Sequence, residues 1–485
     1  MAKKTLRKLL ESTRQDRVAL MTHFDTVVLG AGPGGYVAAI RSAQLGMRTA
    51  IVEKQWWGGV CLNVGCIPTK SLLKNAEVAH TLTYDKELYG ISGDARCDYG
   101  PAYARSRAVS DRMVKGIHFL MKKNKITEYS GWGSFKDPTS LNVSFDTGVV
   151  ENLTYDHCVI AAGATPTMLP GVIPGGRIHT YAEQILAQTL PASIVICGAG
   201  AIGVEFAYVL VNYGVDVTIV EYLDRLLPLE DPEVSSEVAK SYKSLGIKLL
   251  TSHAVKGITQ DEDCAKVYVA PATGGEEFVL EAEQVLMSVG FRPRVEGYGL
   301  ENTGVALTER GAIGIDDYMR TSVAGLYAIG DVTGKLMLAH TAEAQGVVAA
   351  ETIAGAQTFP IDYAMVPRAT YSQPQVASFG YTEAQAKQKG YDVVTSKFPF
   401  AANGKAWGLG QGTGFVKIIA DARHHEILGV HMVGPDVTEL LPELTLAQMW
   451  DLTTDEVARN IHAHPTLSEA LKEAAEGIGG HMINF

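Results

Sequence analysis

Phe24-Asp-Thr-Val-Val-Leu-Gly30-Ala-Gly32-Pro-Gly-Gly35 decides how the chain begins to fold. The apolar run 24–29 reads as a buried strand, the glycines as a tight turn, and Tyr36 to Leu45 as the helix that the turn opens. Arg48 to Glu53 then reads as a second strand ending in an acid. Strand, G-x-G-x-x-G, helix, strand, acid is the pattern of a dinucleotide-binding unit. Gly30 permits the tight turn, Gly32 lets a pyrophosphate approach the backbone, and Gly35 lets helix and strand pack closely. The phosphates meet the helix N-terminus, and Glu53 is placed to bind ribose hydroxyls. The flanking strands and the acid raise the reading above that of a bare glycine motif.

The pattern recurs. Ser193 to Cys197 reads as a strand, Gly198-Ala-Gly200-Ala-Ile-Gly203 as the turn, Val204 to Tyr213 as the helix, and Val215 to Glu221 as the next strand with its acid. Two separate Rossmann-like units put the chain in the α/β class. The second acid bears on which dinucleotide is held. A carboxylate about 4 Å from a 2′-phosphate costs roughly 1–4 kcal/mol, depending on local dielectric, so Glu221 favours NAD over NADP. Arg225, the nearest cation, falls later in the loop. The alternative is that Glu221 is a solvated strand-end acid.

Between the fingerprints lies Gly58-Gly-Val-Cys61-Leu-Asn-Val-Gly65-Cys66-Ile-Pro68-Thr-Lys70. Pro68 suits the first turn of a helix, which puts Cys66 at or beside a helix N-terminus, where a thiolate is favoured. On a regular helix Cys61 and Cys66 are separated by a rise of about 7.5 Å, beyond the roughly 7 Å that a disulfide tolerates. If the two bridge, the backbone between them is distorted, and Gly65 gives it room. A short-loop disulfide at a helix start is redox-active in character. Two buried thiols or half a zinc site are the other readings, but zinc needs a second ligand pair, and Cys97, Cys158, Cys197 and Cys264 are scattered. Beside a redox pair, two dinucleotide sites are most economically a flavin and a nicotinamide.

Composition narrows the class. The 485 residues suggest about three domains, and 46% hydrophobic content is ample for their cores. A net charge of -11 argues against a general nucleic-acid binder. Six cysteines do not make a disulfide framework in a chain this long, which points to a reducing compartment, the cytoplasm. No apolar run approaches the roughly 20 residues of a membrane span. Residues 1–20 differ from the rest: Lys3, Lys4, Arg7, Lys8, Arg14 and Arg17 outnumber Glu11 and Asp16. They are expected to be a mobile N-terminal extension.

Near the other end stands Asn460-Ile-His462-Ala-His464-Pro-Thr-Leu-Ser-Glu469. Oxidising a dithiol needs a base, and histidine has a suitable unperturbed pKa. A carboxylate on its second nitrogen fixes the tautomer. Glu469 can serve His464 if Pro465 starts a turn; His462 is the competing candidate.

These motifs, spread over residues 21–485, resemble those of the pyridine nucleotide–disulfide oxidoreductases. Thr321-Ser-Val-Ala-Gly-Leu-Tyr-Ala-Ile-Gly330-Asp331 is similar to the family's second FAD motif, with Asp331 on the ribityl chain and Leu338-Ala339-His340 near the flavin ring. One departure is visible: Ala161-Ala162-Gly163 stands where the family has Ala-Thr-Gly. The resemblance implies FAD in the first fingerprint and NAD in the second. It implies cofactor-binding roles for Gly30, Gly32, Gly35, Glu53, Lys70, Gly163, Gly330, Asp331, Ala339, Gly198, Gly200, Gly203, Glu205, Glu221 and Gly290. Lys70 and Glu205 would pair near the flavin N5 and the nicotinamide; the alternative is a surface lysine and a dipole-stabilising acid. Cys61 would meet the substrate thiol, Cys66 would face the flavin, and His464, the histidine before Pro-Thr, would be the acid/base with Glu469. No metal is implied.

The implied substrates are the dihydrolipoyl groups of a 2-oxoacid dehydrogenase acyltransferase or of the glycine cleavage H protein. Glutathione-, mycothiol- or mercuric-type reductases share the scaffold. A non-enzymatic FAD-binding assembly subunit would need none of Cys61, Cys66, His464 and Glu469. The expected layout is an FAD domain over 21–164 with a return over 290–364, an NAD domain over 165–289, and a C-terminal α+β interface domain over 365–485 that makes a homodimer with shared sites. Segments such as Gly414 to Ala420 read as alternating strands, and Glu439 to Trp450 as helical.

Overall fold

The computed structural model describes residues 22–485, so the extension expected over 1–20 lies outside the described residues. The chain forms two compact units. Of the described residues, one gathers 22–63 with 110–165 and 291–361; the other gathers 64–109, 166–290 and 362–485.

In the first unit the strand Thr22–Leu29 is the centre of a parallel sheet. Thr49–Glu53 pairs on one side and Val150–Ile160 on the other, with Thr127–Ser130 and Leu326–Ala328 beyond them. Trp132–Asp137 and Ser140–Ser144 extend the sheet antiparallel from Val150–Ile160. Val27 and Val28 are fully buried, as a strand covered on both faces requires. The helix Pro33–Gln44 lies against the helix Ala339–Ala354 at a distance only small residues allow. A Cβ on Gly34 would sit 2.8 Å from the Ala342 carbonyl oxygen, and one on Gly346 would sit 2.6 Å from that of Gly34. Arg41 and Glu351 close the rim of this contact with an ion pair of 2.7 Å.

The second unit holds a parallel sheet in the order Lys248–Leu250, Asp216–Val220, Ser193–Cys197, Gln284–Met287, Ile178–His179. Its C-terminal part is an antiparallel sheet in the order Arg368–Thr370, Gln375–Gly380, Ile427–Gly434, Phe415–Asp421, Val393–Pro399. The expected α/β class with a C-terminal α+β part is therefore what forms. The alternation expected at Gly414 to Ala420 does not produce a half-exposed strand, because Phe415 to Ala420 are all buried. Val416, Ile418 and Ala420 pack into a core with Leu441, Leu444, Leu471 and Ala474 from the helices Val437–Met449 and Glu469–Ile478. Ile419 faces the other way, against Ala386 and Leu428.

That second face carries a row of polar residues in register across all five strands: Arg368, Ser378, His431, Lys417 and Lys397. Acids from 230–233, at the head of the helix Pro232–Ser244, answer it. Arg368 Nε donates to Glu230 Oε1 at 3.2 Å, Lys417 Nζ to Asp231 Oδ2 at 3.0 Å and to Glu233 Oε1 at 2.7 Å, and Lys397 also pairs with Glu233. Lys417 and Asp231 side chains are 7% and 2% exposed, so neither charge is hydrated if its partner is lost. Removing one partner of a buried pair costs about 3–5 kcal/mol. Lys417→Met is therefore expected to lower the Tm of the loaded protein by several degrees, whereas Lys387→Met, at a more exposed pair, leaves it within a degree or two. Differential scanning calorimetry of both variants checks this.

Candidate functional site

The first fingerprint turn is built by two glycines the fold cannot replace and one it has no need of. Gly30 has φ of +105°, and a Cβ there would lie 2.3 Å from the Ala161 carbonyl oxygen. A Cβ on Gly35 would lie 1.9 Å from the Gly30 carbonyl oxygen. Gly32, by contrast, has an ordinary φ of -66°, and its Cβ would meet only the Gly59 Cα, at 3.9 Å. The protein tolerates a side chain at Gly32, so its glycine keeps room for a ligand at the head of the helix Pro33–Gln44. That open cradle fits a pyrophosphate. Glu53 lies beside the turn: its carboxylate accepts from Ala31 N at 3.0 Å, Gln55 N at 2.8 Å and Trp56 N at 3.0 Å.

Asp331, in the same unit, is a second mark of a polar ligand. Burial pushes its carboxyl up to about 6, and no described side chain or backbone group bonds it. A ribityl hydroxyl is the kind of donor such a carboxylate lacks. The neighbouring Gly330 N donates to Gln345 Oε1 at 2.6 Å, a buried contact that no sequence motif announces. Gly163 has φ of +75°, and its carbonyl accepts from Arg294 N at 3.0 Å. Ala161 N donates to Leu29 O at 2.8 Å, so the turn that lacks the family's threonine is held by its backbone. Ala339 is the first residue of the helix Ala339–Ala354.

The second fingerprint repeats the first, in the other unit. Gly198 has φ of +103° and would bring a Cβ to 2.4 Å from the Ser288 carbonyl oxygen; a Cβ on Gly203 would lie 2.1 Å from that of Gly198. Gly200 has φ of -70° and open space within 4 Å. Ser288 Oγ lies 2.9 Å from the carbonyl oxygens of both Cys197 and Gly198 and props the turn from below. Gly290 has φ of +107°, and its carbonyl accepts from Thr167 N at 2.9 Å. Glu221 is 8% exposed, accepting from Ala199 N at 2.7 Å and Leu223 N at 2.8 Å, which removes the solvated-acid reading.

The cysteine segment is not one regular helix. Cys61 lies on the helix Gly59–Val64; Gly65 breaks it with φ -134° and ψ -118°; Cys66 is the first residue of the helix Cys66–Tyr84. Thr69 ties the new helix to the break, its N–H and its hydroxyl both donating to the Gly65 carbonyl, at 3.1 and 2.7 Å. Cys66 thus stands at the positive end of a helix dipole. One turn further, Lys70 Nζ donates to both oxygens of Glu205, at 2.9 and 3.1 Å, so the alternative of two unrelated surface charges does not hold. Burial works against the ammonium, but Glu205 and then Cys66 outweigh it, and the net effect raises Lys70. Tyr371, absent from every motif, completes the cluster. Its N–H donates to Glu205 Oε1 at 2.9 Å, and its ring centroid lies 4.4 Å from Lys70 Nζ.

The two histidines separate by environment. His464 Nδ1 lies 2.9 Å from Glu469 Oε1, while Thr466 N donates to Glu469 Oε2 at 2.8 Å, so the turn after Pro465 does bring the acid back. Burial alone would raise the Glu469 carboxyl, but the Thr466 N–H and His464 hold it below its ordinary range. The His464 side chain is 80% exposed, and its bond to Glu469 is made through Nδ1. His462 is 3% exposed, with Nε2 at 2.9 Å from Glu443 Oε1 and Nδ1 at 3.0 Å from Asn460 O. Both its nitrogens face acceptors, and the bond to Glu443 raises its pKa. Its two nitrogens are engaged within its own chain, where those of His464 are not both so held.

Residues 24–346 match the sequence family described as pyridine nucleotide-disulphide oxidoreductase, and residues 366–475 match its dimerisation domain. A dihydrolipoyl dehydrogenase of Mycobacterium tuberculosis is 60% identical over 466 residues, covering 96% of this chain and 100% of that protein. The dihydrolipoyl dehydrogenase of Corynebacterium glutamicum is 59% identical, covering 96% and 99%, and that of Bacillus subtilis 42%, covering 96% and 100%. Among solved structures, LpdA from Mycobacterium tuberculosis superposes with a TM-score of 0.86 at 25% identity, covering 94% of this chain and 100% of that one. The flavoprotein disulfide reductase RclA of Escherichia coli gives 0.84 at 26% identity, covering 94% and 99%.

The open space at Gly200 makes a direct prediction. Gly200→Ala should fold, changing stability by less than about 1 kcal/mol through the helix cap. The methyl group then occupies the pyrophosphate's space and weakens NADH binding by about tenfold or more. Thermal denaturation and an equilibrium titration with NADH read the two effects separately.

Proposed function

Because this chain belongs to the pyridine nucleotide–disulphide oxidoreductase family, we propose that it oxidises dihydrolipoyl groups to lipoyl disulfides with NAD+ as the final acceptor. That is the activity named in its relatives from Mycobacterium tuberculosis, Corynebacterium glutamicum and Bacillus subtilis. The chain is an oxidoreductase whose cofactors are FAD and NAD, and it carries a dimerisation domain. The observation that carries the reading is the Lys70–Glu205 bond, because it joins the helix headed by Cys66 to the helix of the second fingerprint.

FAD takes the first fingerprint with Glu53, Gly163, Gly330, Asp331 and Ala339, in a domain of 21–164 and 290–364. NAD takes the second with Glu221 and Gly290, in a domain of 165–289. Bound there, the two cofactors supply two-electron transfer from a thiol pair to the nicotinamide. The protein's own part is thiol chemistry. His464 takes the proton of a dihydrolipoyl thiol as its sulfur attacks Cys61 Sγ, the Cys61–Cys66 bond breaks, and Cys66 leaves as a thiolate beside the Lys70 ammonium and the helix N-terminus. The second substrate thiol then attacks the mixed disulfide at the substrate sulfur, and its proton passes to the released Cys61 thiolate. Glu469 steadies the imidazolium.

Lipoyl-bearing acyltransferase or H-protein domains deliver the substrate, and a second copy of the chain completes each site through 365–485. The exposure of the His464 side chain supports that sharing, since a base confined to its own chain gains nothing by facing outward. We infer that this takes place in the cytoplasm, a reading supported by Cys158 and Cys197, which are buried thiols. No described helix is long and apolar enough to cross a membrane.

Steady-state turnover tests the function. Dihydrolipoamide with NAD+ should turn over, and replacing either partner by glutathione or NADP+ should lose at least about a hundredfold in kcat/KM. Cys66→Ser should keep the fold and FAD but abolish that turnover, since a serine hydroxyl forms neither the disulfide nor a thiolate. Near-normal activity in this variant contradicts the redox role.

A mixed dimer tests the sharing. With Cys66→Ser in one chain and His464→Gln in the other, shared sites leave one site with both lesions and one with neither. Purified heterodimers should then regain about half of the wild-type turnover. Activity no higher than in either mutant homodimer rules out sharing.

A further inference from the structure

Tyr371 stands in no motif, yet it touches both members of the ion pair beside Cys66. It leaves the edge strand Arg368–Thr370 of the C-terminal sheet. Its N–H donates to Glu205 Oε1 at 2.9 Å, and its ring lies 4.4 Å from Lys70 Nζ. The loop that presents it is anchored. Ser372 is fully buried and donates to Pro374 O at 2.9 Å, and Ser241 Oγ donates to Gln373 O at 3.3 Å. Tyr242, on the same helix as Ser241, donates to Val204 O at 2.7 Å, so the loop and the helix bearing Glu205 share one support. Three segments distant in sequence thus meet at one ammonium, all within one compact unit.

We propose that Tyr371 is a positioning residue of the redox centre: its N–H fixes the Glu205 carboxylate and its ring caps Lys70, so that the ammonium is held in one place beside Cys66. This rests on the reading of Cys66 as the flavin-facing thiolate. A lysine on four rotatable bonds is otherwise free to turn toward water, because its side chain is 33% exposed. An aromatic face over a partly desolvated cation supplies the directional hold that a lone carboxylate lacks. The charged groups facing this cluster are Glu205, Glu439, Lys70 and Cys66. Burial raises the Tyr371 hydroxyl, and Lys70 only partly opposes it, so the ring stays a neutral phenol at working pH.

Tyr371→Leu removes the ring and keeps the N–H; Tyr371→Phe keeps both. In dithiol-reduced holoenzyme, the pH at which the thiolate–flavin charge-transfer absorbance appears reports the ionisation of Cys66. Tyr371→Leu should raise that midpoint by about half a pH unit and slow alkylation by iodoacetamide at pH 7 about threefold. Tyr371→Phe should match wild type in both. Should Tyr371→Leu fail to load FAD, Tyr371→Met supplies the ring-free comparison with an unbranched side chain. Lys70→Met is measured in parallel to separate the two layers of the claim. A midpoint that moves in Lys70→Met but not in the ring-free variant overturns the role of Tyr371. One that moves in neither overturns the assignment of Cys66 itself.

Discussion

Both glycine fingerprints rest on a close approach of backbone to backbone. In each fingerprint the last glycine of G-x-G-x-x-G presses against the carbonyl of the first, at 1.9 Å from a notional Cβ for Gly35 and 2.1 Å for Gly203. No side chain fits there, so the helix start is locked directly above the strand end. The acid that ends the neighbouring strand then clasps the turn: Glu53 takes the Ala31 N–H and Glu221 the Ala199 N–H. The middle glycine alone is left without a duty to the fold. In both units, therefore, steric exclusion builds the turn, a carboxylate fixes it, and one open position is left at the head of the helix.

The reactive groups depend on that framework for their electrostatics. Glu205 is carried on the second fingerprint's helix and is almost wholly buried, which is tolerable only because Lys70 and the Tyr371 N–H satisfy it. Lys70 in turn lends its charge to Cys66 at the head of the same helix. The C-terminal sheet contributes from the other side of the unit. Its row of bases grips the acids of 230–233, which close the loop that begins at Glu221. A sheet whose one face packs a core and whose other face carries Arg368, His431 and Lys417 thus also clamps the loop that runs from Glu221 to Asp231.

Much of this was legible in the sequence, for a physical reason. Glycines with positive φ, an acid at a strand end and a cysteine before a helix act through their immediate neighbours along the chain, so spacing carries their meaning. The break at Gly65 lies where Pro68 and the glycine before Cys66 put the start of a new helix. What spacing could not decide was the environment. His462 and His464 differ by two positions and have the same chemistry, yet one side chain is buried beside Glu443 and the other is exposed beside Glu469. Tyr371, Ser288, Gln345 and the Lys417 row were invisible because each acts on a residue far away in sequence, as Tyr371 does on Glu205 across 166 positions. The strand Phe415–Asp421 misled for the same reason: its second face is covered by a helix and acids from elsewhere in the chain.

The central claim is that the second cradle is an NAD site whose selectivity lies in the buried charge of Glu221, and it is tested most directly by reversing that charge. Glu221→Arg, with Glu221→Gln as the uncharged control that keeps an acceptor for one of the two N–H groups of Ala199 and Leu223, should be assayed at full FAD occupancy with NAD+ and NADP+. The account predicts that the ratio of kcat/KM for NADP+ over NAD+ rises at least about tenfold in the arginine variant. The glutamine variant should fall between it and wild type. An unchanged ratio in a folded, FAD-loaded arginine variant would contradict it.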